Sequence, residues 1–166
     1  MNKNLIYRGP EPSHATRTIS RRSRASLRGA MVAKLPGFNT PRILQFESAL
    51  EYAFLCLTLV RDDIQHIWDQ PPVVHYVGRD GRPAKHIFDF LVTMTGGERI
   101  AVAVKPMQRV IARNFLSELE RVAAATPKQF ADRVMLVTDR HLDRVAAAAA
   151  ARKLARTRPA LTEVAA

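Results

Sequence analysis

The chain has 166 residues, 47% of them apolar, which suits one domain with a sizeable core and excludes a wholly disordered chain. Its formal charge is +11, and the excess favours a polyanionic partner, nucleic acid ahead of an anionic membrane surface. A single cysteine, Cys56, excludes a disulfide framework and fits a reducing cytoplasm; it reads as a small core residue.

The start, MNKNLIYRGP, lacks the apolar h-region of a signal peptide. No apolar run reaches the roughly 18 residues of a membrane span. Residues 1–42 hold nine basic residues and one acid, Glu11, so they carry +8 of the +11. They are rich in Ser, Thr, Pro and Gly without sustained periodicity, and read as a basic arm, extended or partly disordered. Residues 43–158 read as the folded domain and 159–166 as a frayed tail.

FESALEYAFLCLTLV carries Phe46, Leu50, Ala53, Phe54 and Leu57 at helical spacing, and Asp62–Asp63 ends that helix. VVHYV (73–77) reads as a strand after Pro71–Pro72. GRDGRP (78–83) is a turn leading to a second strand over 86–94. TGGE (95–98) is another turn, and RIAVAVK (99–105) is a third, near-continuously apolar and therefore central strand. Residues 106–125 form a helix with Pro106 near its first turn. RVMLVT (133–138) is a fourth strand that follows a helical crossover, as a parallel strand would. Residues 139–156 form the last helix, capped by Asp139, with an alanine-rich face packing on the sheet.

Alternation along the strands puts Asp89 on a face with Ile87 and Leu91, and Lys105 on a face with Ala101 and Ala103. A lone carboxylate among apolar neighbours is costly unless it is paired or binds a cation. Glu51, against Phe54 and Leu55, also points toward the core side. Two carboxylates and a lysine at a sheet edge suit metal-dependent phosphodiester hydrolysis, with a hard cation on carboxylate oxygens and a lysine stabilising developing charge. The plainer alternative is an Asp89–Lys105 salt bridge at a strand end, with Glu51 a helix-surface acid. Trp68 reads as a core plug, and His66, His75, His86 and His141 show no metal-ligand spacing.

SRRSRASLRGAMVAK, FESALEYAFLCLTL, DDIQHIWDQPPVVHY, DGRPAKHIFDFLV and IAVAVKP, in this order, resemble the N-terminal domain of TnsA, the endonuclease subunit of heteromeric transposases in the PD-(D/E)xK nuclease superfamily. The resemblance covers about residues 17–106. It implies an α/β, restriction-endonuclease-like α-β-β-β-α-β core, with a mixed central sheet flanked by helices and preceded by a basic arm. It also implies Glu51, Asp89 and Lys105 as catalytic residues. Mg²⁺ or Mn²⁺ would be held by Asp89, Glu51 and the Val104 backbone carbonyl. Gln70 matches the glutamine of the family's QP signature, in a structural role.

Two positions depart from the pattern. Phe88 replaces a proline, and Ala103 replaces the Glu or Gln that would complete the metal site; Glu47 and Glu98 are the acids placed to compensate. The arm residues Arg17, Arg21, Arg22, Arg24, Arg28 and Lys34 are expected to contact DNA phosphates without reading sequence. The expected partners are double-stranded DNA and a transposase subunit, with no membrane and with self-association left open. The alternatives are a nuclease-fold subunit that has lost cleavage and serves DNA binding or assembly, and a basic DNA-binding protein of another kind.

Overall fold

The computed structural model of the protein describes residues 6–7, 9–17, 27–157 and 163–164. Its strands and helices, in chain order, are β1 (Ile6–Tyr7), β2 (Gly29–Ala33), β3 (Arg42–Phe46), α1 (Ala49–Leu59), β4 (Ile64–Asp69), β5 (Val74–Val77) and β6 (Pro83–His86). They continue with β7 (Phe90–Met94), β8 (Arg99–Val104), α2 (Met107–Ala112), α3 (Phe115–Ala125), β9 (Arg133–Val137), α4 (Arg144–Arg156) and β10 (Glu163–Val164). The main sheet has the order β4-β7-β8-β9 and is mixed: β4, β7 and β8 are antiparallel, whereas β9 runs parallel to β8. Separate two-stranded sheets pair β1 with β10, β2 with β3, and β5 with β6.

Strand β8 is apolar because both its faces are covered. Ile100, Val102 and Val104 pack with Phe54 and Leu55 of α1 and with Leu44 and Phe46 of β3. Ala101 and Ala103 pack on the opposite side with Val110 of α2 and with Phe115, Leu119 and Val122 of α3. Phe54 stacks on Phe90 with ring centroids 5.3 Å apart, which joins α1 to β7. Full burial of one such side chain stabilises by about 1.5–3 kcal/mol.

The expected order of helix, three strands, helix, strand and helix therefore stands in the main sheet, but its first strand is a different segment. Ile64–Asp69 pairs with β7, while Val74–Val77 forms an outlying hairpin with Pro83–His86. The run expected as one strand over 86–94 is interrupted at Phe88–Asp89, where the chain passes from the hairpin to the sheet. Phe88 is fully buried at this crossing, edge-on to His86 at 4.7 Å between centroids. Phe88 is thus a core anchor. Gly81 and Gly97 take φ of 75° and 89° in the two expected turns, a region that glycine enters without a Cβ penalty.

Other expectations shift as well. Phe46 ends β3, and α1 begins after Ser48, whose Oγ accepts from Glu51 N at 3.1 Å. The helix expected over 106–125 breaks at Asn114, which takes the left-handed φ of 48° that Asn tolerates better than most residues. Asp143, not Asp139, caps α4 by accepting from Val145 N and Ala146 N. The alanine face of α4 packs chiefly on α1 rather than on the sheet, and Ala147 and Ala150 are buried.

Much of the expected arm is part of the folded structure. The β2–β3 hairpin spans the expected boundary at residue 42. Residues 9–17 lie along β3 and β4: Glu11 pairs with Arg42, Ser13 Oγ donates to Asp69 Oδ2 at 2.6 Å, and Thr16 N donates to the Gln70 carbonyl at 3.0 Å. Trp68 is half-buried, and its Nε1 donates to the His14 carbonyl at 2.7 Å, so the indole holds this strap as well as filling space. Among the described residues no helix is long and apolar enough to cross a membrane.

Candidate active site

A cleft of about 1120 Å³ opens at the end of the main sheet where β8 stops. Glu51, Asp89, Val104 and Lys105 all line it, so the catalytic residues implied by the resemblance come to one place. Its walls come from the first turns of α1, the start of α2 and one face of α4.

Asp89 sits between β6 and β7, where its backbone holds the crossing in register. Its N–H donates to the Val102 carbonyl at 3.0 Å, and its own carbonyl accepts from Gln70 N at 2.9 Å. The side-chain Oδ2 accepts from Val104 N at 2.6 Å. Burial, and next the charge of Glu51, push the Asp89 carboxyl up to about 7, against the pull of the Val104 N–H, Lys105 and Arg17. A strand residue sends its N–H and C=O to the same side. The Val104 carbonyl therefore points toward Asp89, whereas the Lys105 N–H turns to β9 and the Val137 carbonyl at 2.9 Å.

Glu51 is 8% exposed and stands at the third helical position of α1. Its carboxylate accepts from Glu47 N at 2.7 Å and from Ser48 Oγ at 2.8 Å, while Ser48 caps Glu51 N in return. This is a variant of the capping box that the S-x-x-E in ESALE signals, with Glu51 reaching back to the N–H of Glu47 rather than to that of the N-cap residue Ser48. Burial is the main cause that raises the Glu51 carboxyl, and these two hydrogen bonds pull it back. Glu47 also lines the cleft, ion-paired with Arg17.

The Lys105 ammonium lies over the Phe115 ring, 4.2 Å from its centroid. No salt bridge joins it to Asp89 among the described residues. The plainer alternative of a structural Asp89–Lys105 pair is therefore absent, and the lysine's charge reaches Asp89 only through space. Ala103 is 1% exposed, packed among Phe88, Leu91, Val110 and Phe115, and does not line the cleft. Of the two acids placed to compensate for it, Glu47 is in the cleft, whereas Glu98 pairs with Arg133 away from it.

Glu51, Asp89 and the Val104 carbonyl would each offer oxygen, the donor type that a hard divalent cation takes. Burial is the main cause of the elevated Asp89 carboxyl, and the nearby charge of Glu51 adds to it. Each carboxylate oxygen that accepts one hydrogen bond keeps a second lone pair for a cation. No group of three or more His, Cys, Asp or Glu placed to hold a metal occurs among the described residues.

Of the expected DNA-contacting residues, Arg28 lines the cleft and Arg17 reaches its Glu47 wall. Arg21, Arg22 and Arg24 lie outside the described residues. Lys34 is placed elsewhere: its ammonium donates to the Phe38 and Asn39 carbonyls at 3.0 and 2.9 Å, bracing the β2–β3 loop. Sequence reasoning missed Gln108, Arg109 and Arg144, which also line the cleft. Nothing in their local pattern marks them, because α2 and α4 reach the cleft only through tertiary packing. Compared with known families and with curated proteins, the chain matches no family model and no curated protein.

Proposed function

We propose that the protein is a DNA-binding, divalent-metal-dependent endonuclease-like subunit of a heteromeric transposase, similar to the N-terminal domain of TnsA. The observation that carries this reading is the convergence of Glu51, Asp89 and Lys105 on one cleft at the end of β8. The order α1, β4, β7, β8, α2–α3, β9, with β9 parallel to β8, supports it, because a restriction-endonuclease-like core has that order. Asp89, Glu51 and the Val104 carbonyl would hold Mg²⁺ or Mn²⁺, which when bound supplies Lewis-acid polarisation of a phosphate oxygen. Val104 N–H fixes the Asp89 carboxylate, and the Ser48–Glu51 box fixes the second acid, so both are positioned before any ligand arrives. Lys105 contributes positive charge to the cleft, where negative charge develops on a phosphate under attack.

The second reading is a nuclease-fold subunit that no longer cleaves and serves DNA binding or assembly. The burial of Ala103 favours it, since the residue at this position brings no acid to the cleft. Calorimetric titration of Mn²⁺ and Mg²⁺ into the wild type and into Asp89→Ala tests the metal site directly. The endonuclease-like reading expects binding that Asp89→Ala abolishes. Absence of binding by the wild type at millimolar metal, with duplex DNA present, would overturn it and leave the second reading.

A further inference from the structure

The cleft carries charges of both signs. Its acids lie low or are already engaged: Glu51 is 8% exposed, Glu47 is paired with Arg17, and Asp89 Oδ2 takes the Val104 N–H. Asp139, at the rim, accepts from Met107 N at 2.6 Å. That bond ties the start of α2 to the loop before α4 and brings the first turns of both helices to one rim. Arg109 on α2 and Arg144, the first residue of α4, are exposed and line the cleft there. No ion pair engages either guanidinium among the described residues. Between them the α4 wall is formed by Ala147, Ala148 and Ala151, so no long side chain stands between a ligand and the helix.

We propose that Arg109 and Arg144 are a phosphate clamp that holds a phosphodiester strand of duplex DNA along the α2–α4 rim, above the Glu51–Asp89 floor. The inference rests on the DNA-directed reading given above and names the residues that seat the strand. Each of the two guanidinia presents a planar fork of donors that suits a phosphate's oxygens. The net charge of +11 draws the same partner to it.

The test is fluorescence anisotropy of a labelled DNA duplex with the full chain, without metal, from about 50 to 200 mM salt. The double variant Arg109→Gln/Arg144→Gln is expected to bind at least about tenfold more weakly. Its log–log salt slope should be shallower by about 1.8, two phosphate contacts at about 0.9 each. Its melting temperature should match the wild type, since both side chains are exposed. Arg82→Gln/Arg133→Gln, away from the cleft, should keep the wild-type slope. An unchanged slope and affinity in the clamp variant, with tight wild-type binding, overturns the clamp and leaves the DNA-directed reading standing. Failure of the wild type to bind the duplex at about 50 mM salt overturns both.

Discussion

Replacing Ala103 by glutamate restores on paper the acid that the nuclease pattern has at this position, and the structure predicts that it fails. Ala103 is 1% exposed, and its neighbours on that face are Phe88, Leu91, Val110 and Phe115. Added bulk in so closed a place costs about 1–3 kcal/mol. A carboxylate taken from water costs several kcal/mol more unless it is well paired. Lys105, two residues on and over Phe115, is a cation within the same layer and offsets part of that. A net loss of about 3–5 kcal/mol follows, a large share of the about 5–15 kcal/mol that holds a typical domain. At about 2–4 °C per kcal/mol for a chain of this size, melting should fall by about 6–20 °C. Circular dichroism melts of the wild type, Ala103→Glu and Ala103→Val separate the charge from the volume, since valine adds bulk alone. Mn²⁺ at several concentrations should not rescue the glutamate variant. If Ala103→Glu melts within about 2 °C of the wild type and binds Mn²⁺ more tightly, position 103 faces the cleft and the packing argument fails.

Four further outcomes are expected. Because the Asp89 carboxyl is raised from 3.8 to about 7, the native state holds a proton that the unfolded chain has lost between those values. Stability should thus fall as pH rises from about 4 to about 7, by at most about 4 kcal/mol. Urea unfolding at several pH values should show a steeper fall in the wild type than in Asp89→Asn, which keeps only the contribution of the raised Glu51 carboxyl, and equal slopes would refute it. His66 acts in the opposite direction: burial, ahead of Arg42 and His14, lowers its pKa, so its contribution is lost as pH falls below about 6.5, and Asp89→Asn should unmask that loss. Arg17→Ala removes a cation whose charge acts on both Glu51 and Asp89, so calorimetry should find Mn²⁺ bound several-fold more tightly; weaker binding would count against the shared site. Glu11→Ala leaves the largely buried Arg42 without its carboxylate partner, which should loosen the 9–17 strap and speed trypsin cleavage after Arg17 relative to the wild type.

The sequence by itself determined what depends on neighbours a few residues away. The helical spacing from Leu50 to Leu57, the apolar run of β8 and the glycines of the two turns each specify their own local structure. The charge imbalance of residues 1–42 was equally plain, and so was the order of acids and lysine that converge at the cleft. Strand β4 was not legible, because IQHIWD mixes polar with apolar residues. Its buried Asp69 accepts on Oδ2 from Ser13 Oγ and Gln45 N, both from distant segments. The same long-range pairing turned part of the basic arm into the strap and the β2–β3 hairpin. Tertiary structure alone decided that α2 and α4 bring Arg109 and Arg144 to the cleft, and that Ala103 is sealed while Asp89 is not. Periodicity assigns a residue to a face of its own strand, but what covers that face is set by elements that pack on it from elsewhere in the chain.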